Sequence, residues 1–142
     1  VLSGNYRGHG GAVKREYVKV QYLDVSLDPG TVWSYRETPN NQTLFLYLIS
    51  GTLAADENLE EYEEKACAML MTATSESEAE NDEVRVKSGA DGARFLLIAA
   101  KPLNEPVAWG GPIVMNTREE LDLAFRELDN NTFIKHEKPQ EL

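Results

Sequence analysis

Between Tyr17 and Ala100 the sequence is cut into short apolar runs by turn residues, and this punctuation limits the fold more than any other feature of the chain. "YVKVQYLDVSL" (residues 17–27) alternates Val18, Val20 and Tyr22 with Lys19 and Gln21. It then changes phase into Leu23, Val25 and Leu27, the pattern of one long strand or of two joined at a bulge. Asp28-Pro29-Gly30 closes the run as a turn, because proline presets φ and glycine accepts the left-handed region. "TVWSYR" and "TLFLYLIS" follow, the second a nearly unbroken apolar run that ends at Gly51 and suits a strand buried on both faces. "ACAMLMTA" reads as a strand, with helix as the alternative that its alanines and methionines leave open. "EVRVKSG" and "ARFLLIAA" read as two more strands, separated at Gly89-Ala90-Asp91-Gly92.

Two stretches between these runs have little to bury. Residues 56–65, "DENLEEYEEK", favour helix by propensity, yet one leucine and one tyrosine give such a helix almost no apolar face. "SESEAENDE" (residues 75–83) reads as an exposed acidic loop. Only one helix is strongly signalled: Thr117-Arg118-Glu119-Glu120 is a capping box, and Leu121, Ala124, Phe125 and Leu128 follow as one apolar stripe. Asp122 and Arg126 are spaced to pair on another face, and Asn130-Asn131 ends the helix because asparagine tolerates the left-handed region. Many strands followed by one helix predict an all-β sandwich or barrel rather than a βαβ sheet, built as a single domain over residues 1–142.

Charge and ligand chemistry narrow the function. The 14 Lys and Arg against 24 Asp and Glu give a net charge of −10, which opposes direct contact with nucleic acid and with anionic membranes. Cys67 is the one cysteine, read as a buried inert thiol in a cytoplasmic protein, or a nuclear one in a eukaryote. His9 and His136 lie far apart, with no spacing that builds a metal site, so no cofactor is expected in this chain. The glycines of "GNYRGHGGAVK" lack the strand–turn–helix context of a dinucleotide site and read as a flexible turn. Trp33, Tyr35, Phe45 and Tyr47 sit at strand spacings; they are core residues or, if they line a barrel mouth, an apolar pocket for a flat organic ligand. The chain opens on Val-Leu-Ser-Gly without a methionine, as expected of a piece of a longer polypeptide.

The run "ARFLLIAAKPLNEPVAWGGPIVMNTREELDLAFRELDNNTF" (residues 93–133) resembles the C-terminal domain of the pirin family within the cupin superfamily. "LDPGTVW" and "LFLYLISGTL" resemble the turn and the strand–glycine element of a cupin barrel, so the likeness spans nearly the whole chain and is weaker over residues 54–84. The resemblance implies a cupin-type double-stranded β-helix, a jelly-roll barrel with one C-terminal helix. It also implies a two-cupin parent in which an N-terminal domain holds iron through three histidines and one glutamate. At the matching positions this chain has Glu37, Pro39 and Thr43, and it has no histidine between residues 44 and 135. The implied roles are a transcriptional co-regulator acting through protein contacts and, for some members, an iron-dependent quercetin dioxygenase. For this chain the first is the leading expectation: a metal-free scaffold and interaction module, with the iron in an N-terminal half. The alternative is a set of pocket walls for a quercetin 2,3-dioxygenase whose iron lies in that half. Expected partners are an N-terminal cupin domain, another protein or a second copy of the chain. Pro102, Pro106, Trp109, Pro112, Asn116 and Thr117 form the structural signature of the strap from the last strand to the helix, with Trp109 expected to pack.

If the capping box operates, Thr117→Ala lowers stability by about 0.5 to 2 kcal/mol, read as a lower urea midpoint; an unchanged midpoint counts against it.

Overall fold

The computed structural model of the protein describes residues 1–13, 18–39, 42–71 and 81–135, the side chains of 37–39, 81 and 82 excepted. Its residues group into two compact units, Val1–Pro102 and Leu103–Leu142.

The first unit holds β1 (Asn5–Tyr6), β2 (His9–Gly10), β3 (Val20–Leu27), β4 (Val32–Pro39), β5 (Thr43–Ala54), β6 (Tyr62–Glu64), β7 (Ala68–Met71) and β8 (Asn81–Ala100). β1 and β2 form a small hairpin, and the remaining six strands form one sheet in the order β3-β8-β5-β6, with β4 also on β8 and β7 also on β5. Every strand pairing in that sheet is antiparallel. The expected β architecture is therefore present, and the strand reading of "ACAMLMTA" is realised as β7.

β8 corrects the sequence reading. "EVRVKSG" and "ARFLLIAA" are not two strands around a turn but one strand of 20 residues. Its first half pairs with β4, from Val32 opposite Lys87 to Tyr35 opposite Val84, and its second half pairs with β3, from Leu27 opposite Ala93 to Val20 opposite Ala100. Gly92, the second glycine of this stretch, is where the backbones cross closely. A Cβ on Gly92 would lie 2.6 Å from the Leu27 carbonyl oxygen, and one on Gly51 would lie 2.1 Å from the Gly92 carbonyl oxygen. Both glycines also take positive φ, 77° at Gly51 and 75° at Gly92, so β5 and β8 bend here without breaking. The β5–β8 register shifts on both sides of this point, between Leu48 and Ser50 and between Gly51 and Leu53.

One face of this sheet is core. Leu46, Leu48, Leu53, Val86, Phe95 and Leu97 have no exposed surface. On β5 the buried residues Leu44, Leu46 and Leu48 alternate with half-buried Phe45 and exposed Tyr47 and Ile49. The run read as buried on both faces is thus fully buried on one, and its other face is apolar but open. At the Asp28–Gly30 turn, Gly30 has φ 67° and the Thr31 amide donates to the Asp28 carbonyl. The Ser88 hydroxyl, wholly buried, donates to the Asp28 carbonyl at 2.6 Å and accepts from the Thr31 amide at 2.9 Å. A polar side chain in the core is satisfied by the turn that it holds.

Residues 56–65 form no helix. Asp56 accepts from the Asn58, Glu60 and Glu61 amides, Leu59 is buried, and β6 follows. Of the acidic stretch read as a loop, residues 81–83 belong to β8 and the rest lies outside the described residues. Cys67, expected to be buried, is only half-buried.

The second unit begins with an exposed segment and a hairpin of β9 (Ala108–Gly110) and β10 (Ile113–Met115), closed by Gly111 and Pro112. Helix α1 (Arg118–Asp129) follows. The Thr117 hydroxyl accepts from the Glu120 amide at 3.2 Å and the Glu120 carboxylate accepts from the Thr117 amide at 3.0 Å, which completes the capping box. Leu121 and Ala124 are buried, while Phe125 and Leu128 of the expected stripe remain 38% and 43% exposed. A Cβ on Gly110 would come within 3.0 Å of the Phe125 ring and 3.1 Å of Leu121, so glycine there lets the hairpin lie against the helix. The helical ion pair is Arg118 with Asp122 at 3.5 Å, in place of the Asp122–Arg126 pair read from spacing. Asn131 takes φ 58° just past the helix, as its end signal implies.

Because Gly51 combines positive φ with a backbone oxygen in the way, Gly51→Ala is expected to cost at least about 1 to 2 kcal/mol, seen as a lower urea midpoint; a variant as stable as the parent removes the close-crossing account.

Candidate functional site

Two features of the first unit have chemistry to offer, an aromatic cluster on the core side and an apolar outer face. Trp33 and Tyr35 stand two residues apart on β4 and so share a face, with ring centroids 5.9 Å apart and planes nearly parallel at 21°. Phe95 of β8 meets Trp33 edge-on at 5.7 Å. Tyr6, from the β1–β2 hairpin, closes the group at 6.2 Å from Trp33 and 6.0 Å from Tyr35. These separations suit attraction between aromatic quadrupoles. The Trp33 indole N–H donates to the Tyr6 phenol oxygen at 3.2 Å, and the Arg7 guanidinium lies 5.2 Å from the Tyr6 ring centroid. Tyr35 and Phe95 are buried while Trp33 and Tyr6 keep some surface, so the cluster runs from core to solvent.

Of the four residues read as a candidate pocket, the structure brings Trp33 and Tyr35 together and places Phe45 and Tyr47 on the other face of β5. Phe95 and Tyr6 are the members that the sequence reading missed. Phe95 is detectable in the 95, 97, 99 alternation of "ARFLLIAA". Tyr6 carries no such signal, because a distant side chain positions it: the Asn5 amide donates to Gln21 Oε1 at 3.0 Å and Gln21 Nε2 donates to the Asn5 carbonyl at 2.8 Å.

On the outer face the pairing registers align Tyr22 with Ile98, Ile98 with Phe45 and Phe45 with Leu70, a continuous apolar row across β3, β8, β5 and β7. Leu70 is 67% exposed and Tyr47, on the adjacent row, 39%. Beside them Arg94 grips Asp24 with two bonds, Nε to Oδ1 at 3.0 Å and Nη2 to Oδ2 at 2.6 Å.

The strap residues divide by role. Asn116 Nδ2 donates to Glu105 at 2.9 Å and to the Pro106 carbonyl at 3.1 Å, fastening the segment to the start of the helix that Thr117 caps. Pro112 completes the β9–β10 turn, and Pro102 is exposed at the end of the first unit. Trp109, expected to pack, is 74% exposed, with its indole N–H satisfied by the Gly111 carbonyl at 2.6 Å.

Among the described residues no three His, Cys, Asp or Glu side chains gather into a group able to hold a metal ion. His9 is exposed on β2 and Thr43, at a position matched to a cupin ligand, is exposed at the start of β5. Pro39 has no donor side chain, and His136 lies outside the described residues. The Glu37 side chain also lies outside the described residues, and the matched positions that are described offer no imidazole or carboxylate to an iron. No helix among the described residues is long and apolar enough to cross a membrane.

Residues 22–134 match the family described as "Pirin C-terminal cupin domain". The chain is 38% identical over 112 residues to Pirin of Homo sapiens, covering 77% of this chain and 36% of that protein. It is 33% identical over 109 residues to Pirin-1 of Arabidopsis thaliana, covering 77% and 36%. A crystal structure of quercetin 2,3-dioxygenase from Acinetobacter baumannii superposes with a TM-score of 0.74 at 23% identity, over 93% of this chain and 42% of that one, and so shares its fold, which the family match identifies as a cupin. The chain therefore spans about two fifths of the length of the relatives that it matches.

The ion pair on the outer face has a pH signature. The Arg94 guanidinium, hydrogen-bonded to Asp24, holds the Asp24 carboxyl below its ordinary value against the opposing effect of desolvation. A folded-state value below the unfolded one contributes stability above the unfolded carboxylate pKa of about 3.9, lost as pH falls through the folded value. Asp24→Asn is expected to lower the urea midpoint at neutral pH, with the gap to the parent narrowing below about pH 4; a gap that stays constant with pH disproves the assignment.

Proposed function

The chain belongs to the pirin family, as its C-terminal cupin domain, and from that premise we propose that it serves as a scaffold and protein-interaction module of the transcriptional co-regulator type. The observation that carries this reading is the apolar row Tyr22, Ile98, Phe45 and Leu70 on the outer face of the sheet. An open apolar face on a sheet is a surface that gains free energy when covered, and a contiguous apolar patch on a domain is a common mark of a protein contact. The net charge of −10 favours protein partners over nucleic acid, so the gene-regulatory role runs through protein contacts. The partner in this reading is an N-terminal cupin half, another protein or, when neither is present, a second copy. The iron belongs to the N-terminal half, and the site of action is the cytoplasm, or the nucleus of a eukaryotic cell.

A second reading is favoured by the aromatic cluster at Trp33, Tyr35 and Phe95 and by the fold shared with a quercetin 2,3-dioxygenase. In it the chain supplies pocket walls to an enzyme whose iron lies in the other half.

Sedimentation of the purified chain across the micromolar range tests the first reading: the parent is expected to self-associate, and Leu70→Glu to weaken association at least about tenfold by burying a charge at the contact. A parent that stays monomeric and binds no N-terminal half removes it. Oxygen uptake on quercetin by an iron-loaded N-terminal half that appears only when this chain is added decides for the second, whereas stoichiometric iron with turnover in the chain alone overturns the first and removes the iron-in-the-other-half premise of the second.

A further inference from the structure

We propose that Tyr6 is a built-in occupant of a phenol-binding site whose walls are Trp33, Tyr35 and Phe95, and that a free planar phenol competes with it for that place. The contact has the features of ligand recognition. The Tyr6 ring lies within 6.2 Å of two aromatic rings, and its hydroxyl oxygen receives the Trp33 indole N–H at 3.2 Å. Indole nitrogen is a donor only, so whatever fills this place must bring an acceptor to the same point, and a phenol oxygen does so.

Tyr6 differs from the other three in how it is held. Trp33, Tyr35 and Phe95 stand on long strands of the main sheet. Tyr6 stands on a hairpin of two residue pairs, Asn5 with Gly10 and Tyr6 with His9. Beside the aromatic contacts, two exposed Gln21 bonds reach Asn5, the Gly11 amide donates to the Gly4 carbonyl at the base of the hairpin, and the segment leading into it is bridged from Ser3 to Tyr22. Gly4 at φ 86° and Gly8 at φ 82° bracket the Asn5–Arg7 segment, residues at which the backbone turns at low cost. Exposed hydrogen bonds contribute little each, and small elements with few buried contacts open well below the cost of global unfolding. The hairpin is the removable part of the cluster and the β4–β8 wall is the fixed part.

An intramolecular occupant acts at a high effective concentration, so the site has low apparent affinity while Tyr6 is seated and its full affinity when Tyr6 is gone. The inference rests on the aromatic geometry and holds whichever reading of function is correct.

The experiment uses the full chain carrying Trp109→Phe, which leaves Trp33 as the single tryptophan, with para-nitrophenol as the quenching probe and nitrobenzene as the control lacking a hydroxyl. Tyr6→Ala is expected to bind para-nitrophenol at least about tenfold more tightly than the parent and to prefer it to nitrobenzene. Tyr6→Phe keeps the ring but removes the oxygen that Trp33 bonds, and is expected to fall between the two. Equal affinity in the parent and in a Tyr6→Ala variant with parental circular dichroism overturns the proposal, as does tighter binding without preference for the phenol. If Tyr6→Ala loses the parental spectrum, Tyr6→Phe decides, and an affinity equal to the parent's overturns it.

Discussion

Three strands take their backbone partners from β8, so the first unit depends on this strand running unbroken from Asn81 to Ala100. A strand that long must bend if its two ends are to serve the same core. The bend is made at Gly92, where the Leu27 and Gly51 backbones come closer than any side chain would permit. Those contacts set the β5–β8 crossing, and the crossing places Val86 and Phe95, from the two ends of one strand, in a single core. The buried Ser88 adds a polar pin nearby, holding the Asp28–Gly30 turn between β3 and β4 through its hydroxyl. Hydrophobic burial supplies the driving force, while the close approach of backbones decides its geometry.

The bend also separates two chemistries. On the core side, β4 and β8 bring Trp33, Tyr35 and Phe95 together at ring distances that bind further aromatics well. On the outer side, strand alternation presents Tyr47 and Leu70 to solvent, with half-buried Phe45 between them, beside the Asp24–Arg94 pair. A single run, "TLFLYLIS", contributes leucines to the core and aromatics to the outer face, so one strand links the stability of the unit to its open apolar face. Neither face assembles ligands for a metal among the described residues.

In the second unit local chemistry does most of the ordering. Thr117, Glu120 and Asn116 organise the start of the helix through hydrogen bonds reaching no further than Glu105, and Gly110 admits Leu121 and Phe125 against the hairpin. Such short-range devices can be read from residue order because both partners lie in the same stretch of sequence. Trp109 shows where that legibility stops. Its size suggested packing, yet its indole is satisfied by a carbonyl two residues away and its ring faces water.

The amino-acid sequence by itself determined the strand-rich class, the Asp28–Gly30 turn, the capping box and the end of the helix. It also carried the cupin resemblance that the family match bears out, and it placed Trp33 and Tyr35 on one face, because period-two alternation and turn chemistry are local properties. Tertiary structure alone decided that Gly89 to Gly92 would be a bend in one strand and not a turn between two, since the cause is the approach of backbones some forty and sixty residues earlier in the chain. It likewise decided that Phe45 and Tyr47 would leave the aromatic group and that Phe95 and Tyr6 would join it. Which face of a strand looks inward depends on what lies across from it, and for Tyr6 that was settled by Gln21, fifteen residues away in sequence from the ring that its hydrogen bonds to Asn5 help to place.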